Sequence, residues 1–174
     1  MRRLLLPLAS AFALVVLAQP VEAQLKFGAH GAVITGLDEV TVGGITANSG
    51  INGTFGLGGR VMLDPPLLPV ALVGSGTYYF MEEGMGSYYT GTLAGQLRLP
   101  LPVVKPYATL GYQLRKSEGA DSQTGFMLGA GIQLDLGVSL FLEGTFEIGE
   151  DLTVASTEID TNAIVIKGGV LFGG

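Results

Sequence analysis

The chain has one histidine, His30, and a small set of charged side chains inside its alternating stretches, which is where any chemistry would have to start. Lys26 stands four positions before His30 and Glu143 four before Glu147, while Arg60, Arg98 and Lys167 each sit alone among mostly apolar and small residues, and Arg115 precedes Lys116. Residues two or four apart on a strand share a face, so both pairs are same-face pairs. Two chemistries fit such a set. An imidazole beside a hydroxyl could serve as base to a nucleophile, and carboxylates confined with guanidinium and ammonium groups could form a charged filter or a plug. The first is poorly served locally, because His30 lies in Ala29-His30-Gly31 with no adjacent serine. Cysteine is absent, which excludes disulfides, thiolate metal sites and lipid attachment through sulfur. The pairs Gly56/Gly58, Gly74/Gly76 and Gly129/Gly131 lie inside alternating stretches and do not precede helices. They relieve crowding or let a strand bend, and do not cradle phosphate. No catalytic residue, cofactor or metal site is assigned.

The remaining acids are unevenly placed. Asp38, Glu39, Glu82, Glu83, Glu118, Asp121, Glu150, Asp151, Glu158 and Asp160 fall in or beside the longer linkers, whereas Lys26, Arg60, Arg98 and Lys105 lean toward the shorter ones. A formal net charge of −6 disfavours nucleic acid, whose phosphates need a basic surface. Acidic loops could hold divalent cations, but no spaced Asp-x-Asp-x-Asp-Gly motif occurs. Solubility of exposed loops accounts for them.

The elements that must carry these side chains are strands. In Tyr88 to Leu99, the residues Tyr89, Gly91, Leu93, Gly95, Leu97 and Leu99 alternate with Tyr88, Thr90, Thr92, Ala94, Gln96 and Arg98. Val138 to Gly149 divides the same way, and Leu25–Thr35, Asn52–Leu63, Val70–Met81, Tyr107–Lys116, Gln123–Asp135 and Asn162–Phe172 complete a set of eight. Each is long enough, tilted by about 45°, to cross a hydrocarbon layer. Short connections, Asp64–Pro69, Pro100–Pro106 and Asp135–Gly137, alternate with longer ones, Gly36–Ile51, Glu82–Ser87, Ser117–Ser122 and Glu150–Thr161. The short ones hold Pro or Gly where a turn needs them. The longer ones read as polar loops free of the strand pattern, mobile and dispensable for folding. A hairpin centred near Ala155 sets Glu143 opposite Lys167, the expected ion pair.

Ahead of the strands, Arg2 and Arg3 precede an apolar run from Leu4 to Ala18 and the small-x-small ending Val21-Glu22-Ala23. That is the pattern of an export signal, residues 1–23, cleaved between Ala23 and Gln24. The run falls short of the roughly 20 apolar residues that a spanning helix needs. Residues 24–174 then form one domain. An exported chain with its apolar residues in alternating strands suits a bilayer only as a closed barrel, because every backbone polar group must be satisfied internally. Only 14% of residues are charged and 28 are glycine, a composition suited to a wall that faces lipid. The apolar face carries Phe55, Tyr78, Phe80, Tyr89, Tyr112 and Phe126 toward the longer loops and Phe27 and Phe172 toward the shorter turns, as two interfacial girdles would. The expected fold is all-β, an eight-stranded antiparallel up-and-down transmembrane barrel. A soluble lipocalin-like barrel would carry more Lys and Glu on its polar face.

With a signal peptide, eight alternating strands, short turns on one side and longer loops on the other, the chain resembles the small eight-stranded outer-membrane barrels of Gram-negative bacteria, the family of the outer membrane protein A transmembrane domain and its OmpX-like relatives. The resemblance implies a location in the bacterial outer membrane, with periplasmic termini and turns and with acidic loops outside the cell. It implies a monomer without cofactor or nucleic acid. Its partners would be outer-membrane lipid and lipopolysaccharide, the barrel assembly machinery and periplasmic chaperones. Such barrels usually end on an aromatic residue, whereas here Phe172 is followed by Gly173 and Gly174. In that setting Lys26, His30, Arg60, Arg98, Arg115, Glu143, Glu147 and Lys167 face a narrow bore that side chains fill. The expected role is structural or surface-interacting, with a closed polar lumen and no catalysis. The alternatives are a lipid A-modifying enzyme built on His30, a narrow channel and a soluble carrier.

Overall fold

A computed structural model describes residues 24–36, 39–42, 45–48, 53–65, 68–80, 88–117, 122–149, 152–154, 157–159 and 162–173. The expected signal segment, including Ala23, lies outside the described residues, and Gln24 opens the first strand. In chain order the strands are β1 (Gln24–Gly36), β2 (Glu39–Val42), β3 (Ile45–Asn48), β4 (Thr54–Asp64), β5 (Val70–Tyr79), β6 (Tyr88–Arg98), β7 (Val104–Ser117), β8 (Gln123–Asp135), β9 (Ser139–Gly149), β10 (Leu152–Val154), β11 (Thr157–Ile159) and β12 (Ala163–Phe172). Eight of them close into an antiparallel barrel in the order β1-β12-β9-β8-β7-β6-β5-β4, with β4 bonded back to β1. Closure leaves the ring no free edge, so each wall strand pairs on both sides.

Alternation decides which way every side chain points. In β6, Leu93 is 66% exposed on the outside while Ala94 and Gln96 are buried inside. The same parity turns Leu57, Val61, Leu97, Leu110, Leu128, Leu142 and Ile166 outward. The outer surface is therefore a continuous apolar band, the reverse of a soluble barrel. Its loop-side rim is aromatic along the arc β4 to β8, where Phe55 stacks on Phe80 at 6.2 Å, Tyr78 meets Tyr89 at 5.1 Å and Tyr112 meets Phe126 at 5.7 Å between ring centroids.

Beyond shifts of one or two residues at several strand ends, two features differ from the sequence reading. Pro106, expected in a turn, lies in β7 with its Cα opposite Ile132. Its carbonyl accepts from Leu99 N at 2.9 Å, one residue past the end of β6. A hydrogen-bonded antiparallel pair exchanges both N–H···O bonds, so the donor that proline lacks faces the place where this ladder stops. The second difference lies in the longer loops. Gly36–Ile51 holds the hairpin β2–β3, Glu150–Thr161 holds β10–β11, and the two hairpins join in a four-stranded sheet of order β10-β11-β2-β3 through Ile159 and Val40. These segments are thus not free of strand structure. Val40, Thr41, Val42, Ile45 and Thr46 are β-branched, and Gly43-Gly44 between them is a two-residue connection of the kind that hairpins favour. The order of this outer sheet repeats that of the barrel arc β9-β12-β1-β4, each short strand following or preceding its counterpart in the chain.

Candidate functional site

The inward parity of the wall gathers nearly all of the described ionisable side chains into the bore, where they form three groups. At the turn-side end, Asp64 at the end of β4 receives a bidentate contact from Arg98 of β6, including Nη1 to Oδ2 at 2.6 Å, and lies 3.5 Å from Lys26 Nζ of β1. Asp135 of β8 accepts from Ser139 Oγ at 2.6 Å and Gln133 Nε2 at 2.8 Å, and pairs with Lys105 Nζ at 2.6 Å. Lys26 links the two carboxylates, standing 3.9 Å from Asp135 and 3.3 Å from Ser139 Oγ. Six strands contribute to this cluster.

The middle group crosses the bore. Glu143 rises from β9, Arg60 Nη2 of β4 donates to its Oε2 at 3.0 Å, and Gln96 Nε2 of β6 donates to the same oxygen at 3.0 Å. These three strands are spread around the ring, so their contact spans it. The Arg60 guanidinium also lies 4.1 Å from the centroid of the Phe141 ring, a cation–π contact in a desolvated setting. On β4 Met62 separates Arg60 from Asp64, and on β9 Phe141 separates Glu143 from Ser139. Together with Ala71, Val73 and Leu171 they form an apolar layer between the two ionic groups.

The loop-side group is Arg115 of β7, Glu147 of β9 and Lys167 of β12. Arg115 Nη2 donates to Glu147 Oε2 at 3.2 Å, and Lys167 Nζ lies 3.9 Å from Oε1 of the same carboxylate. With its amide turned to suit its neighbours, Gln113 donates to Glu147 and accepts from Arg115 at 2.9 Å. Glu147 and Lys167 are each 1% exposed.

Lys167 and Glu143 are partners in the β12–β9 register, yet the expected ion pair between them is not the contact that forms. The Glu143 carboxylate turns to Arg60 and Gln96, and the Lys167 ammonium reaches Glu147. A planar guanidinium matches both carboxylate oxygens at once, which a lysine cannot do, and its longer reach carries it across the bore. Asp64, Asp135, Gln96, Gln113 and Ser139 were not among the residues that the sequence singled out. The signal is present in the parity: Asp64 continues the inward parity of Arg60 and Met62, although the expected strand stops at Leu63, and Asp135 continues that of Gln133 at the very end of its expected strand, where it also opens a turn.

His30 of β1 faces the middle of the bore. Its Nε2 lies 2.9 Å from Thr77 Oγ1 of β5, and its ring meets Phe141 edge-on at 6.3 Å. The ring occupies space that Gly58, its partner on β4, leaves open, since a Cβ there would come within 2.6 Å of Cε1 and Nε2. An imidazole and a hydroxyl at this distance have the geometry of a base and a nucleophile. At 3% and 4% exposure, however, neither His30 nor Thr77 meets solvent or the lipid side of the wall, where a substrate would arrive. Among the described residues no cluster of three or more His, Cys, Asp or Glu could hold a metal ion. Most of the acidic loop residues lie outside the described residues, and Glu39 and Glu158 are placed there by backbone alone.

No family model and no curated protein sequence matches the chain. Among solved structures, the chain is similar to Neisserial surface protein A, with a TM-score of 0.62 at 12% identity over 87% of this chain and 99% of that one. It is also similar to the N-terminal β-barrel domain of Pseudomonas aeruginosa OprF, with a TM-score of 0.55 at 14% identity and the same coverage. At such identities the likeness establishes the fold, a small closed barrel of the kind found in outer-membrane proteins.

Proposed function

We propose that this protein is a non-enzymatic, monomeric barrel of the bacterial outer membrane, exported by a signal peptide cleaved between Ala23 and Gln24, with a structural or surface-interaction role and a closed lumen. The observation that carries this reading is the inversion of the wall: large apolar side chains outside, and a cross-bore ionic contact between Arg60, Gln96 and Glu143 inside. An apolar exterior of this extent in water would drive aggregation, whereas in hydrocarbon it is the stable arrangement. The likeness to two outer-membrane barrels supports the location. Outer-membrane lipid and lipopolysaccharide would contact the band, and periplasmic chaperones and the barrel assembly machinery would deliver the chain to it.

Fractionation of cells that express the full chain, followed by gel migration of unboiled and boiled samples, tests the reading. The expected result is recovery with the outer membrane and a shift in mobility on boiling. Recovery in the soluble periplasm would support the carrier instead. Activity on lipid A that disappears in His30→Ala would support the enzyme.

A further inference from the structure

At the turn-side end the bore opens into a cleft of about 360 Å³. Its walls mix two chemistries. Asp64, Arg98 and Lys105 line it beside Leu68, Leu99, Leu101 and the turn prolines. Those three leucines are about half exposed, although turns in water ordinarily present polar side chains. Among the described side chains of the ionic cluster at its floor, three cations, Lys26, Arg98 and Lys105, face two carboxylates, Asp64 and Asp135, an excess of one positive charge. Arg98 spends both terminal nitrogens on Asp64, and its buried Nε has no hydrogen-bond partner. A surplus cation beside exposed leucines is complementary to an amphiphile with a monoanionic head.

Placement selects the amphiphile. The outward side chains of β6 run from Tyr89 to Leu97, with Leu99 just beyond, and at about 3.3 Å per residue and a tilt near 40° this gives a band roughly 25 Å tall. The cleft sits at the turn-side edge of that band, at the depth of lipid headgroups. We propose that it binds the phosphodiester head of an anionic phospholipid from the turn-side leaflet, with Lys105 on the phosphate, the buried Arg98–Asp64 pair behind it and Leu68, Leu99 and Leu101 along the upper acyl chain. This rests on the membrane reading above. A phosphodiester carries one negative charge, which offsets the excess among these side chains.

The test uses the folded full-length barrel in a neutral maltoside detergent and native mass spectrometry to count retained lipid. Dimyristoylphosphatidylglycerol is compared with dimyristoylphosphatidylcholine, inorganic phosphate and a leucine-rich acidic peptide. One phosphatidylglycerol should be retained, about tenfold more tightly than phosphatidylcholine, because the choline cation cancels the charge match. Lys105→Gln and Leu101→Asn should each weaken it by about tenfold, Lys105→Arg should keep it, and Lys116→Gln on the loop side should leave it unchanged. Equal retention of the two lipids, indifference to Lys105→Gln and Leu101→Asn, or tighter binding of phosphate or the peptide would each overturn the proposal. In parallel, the protein is reconstituted into phosphatidylglycerol-containing vesicles. Failure to insert would overturn the membrane reading and this inference with it, whereas insertion without lipid selectivity would overturn this inference alone.

Discussion

At the scale of single residues, one strand offers a test of orientation. Leu93 points out of the wall and Thr92 points in, where its hydroxyl lies 2.6 Å from Ser75 Oγ. Leu93→Arg places a charge in the apolar band near its middle and should cost roughly 2 to 4 kcal/mol of folding stability in lipid vesicles. Thr92→Ala gives up one partly buried hydrogen bond and should cost about 1 kcal/mol. Urea titrations in vesicles measure both, and equal tolerance of the two changes would remove the lipid-facing assignment. The middle ionic group makes a second prediction. Glu143→Ala or Arg60→Ala alone leaves an unpaired buried charge and should destabilise by about 3 to 5 kcal/mol, while the double variant should cost far less than the sum. The same cycle between Glu143 and Lys167 should show weaker coupling than the Glu143–Arg60 cycle, because the ammonium acts on that carboxylate through space without a direct hydrogen bond.

At the scale of elements, the wall was legible in the sequence and the outer sheet was not. Period-two alternation over ten or more residues gave β8 from Gln123 to Asp135 with both ends correct, since a long window averages out local exceptions. β2, β3, β10 and β11 are three or four residues each, too short for alternation to register, and they hold only in company. Ionic partners were harder still. Parity says which residues enter the bore, but the choice of Arg60 over Lys167 for Glu143 depends on reach and shape across a ring whose curvature no one strand encodes. The pairing of the two loop hairpins changes what a deletion should do. Replacing 150–161 by a tight turn should leave the barrel folded and heat-modifiable, because all eight wall ladders remain. It should also speed amide exchange in β2 and β3, which lose the Val40–Ile159 contact. Unchanged exchange there would mean that the two hairpins do not pair in solution, and loss of folding would mean that the segment belongs to the wall.

At the scale of the molecule, three ionic groups, two of them divided by the layer of Met62 and Phe141, fill so narrow a ring with side chains. Planar-bilayer recordings should therefore show no steady unitary current at moderate voltage, and reproducible large steps would discard the closed lumen. The seam between β1 and β12 has a different bearing, on time. Every other ladder of the ring joins strands close along the chain, but here Thr35 and Ile164, 129 positions apart, must meet. Until they do, the wall is an open sheet with two raw edges, stable neither in water nor in hydrocarbon. Bringing such distant segments together is slow relative to hairpin formation, so assembly waits on its final partner and then completes in one cooperative step. The ring also has no privileged starting point. Phe27 and Phe172 are register partners at the turn side, so a short tether between those ends and a cut at the tight turn after Asp135 should yield a permuted chain with the same wall, assembling no faster, because the most distant ladder has only moved from β1–β12 to β8–β9.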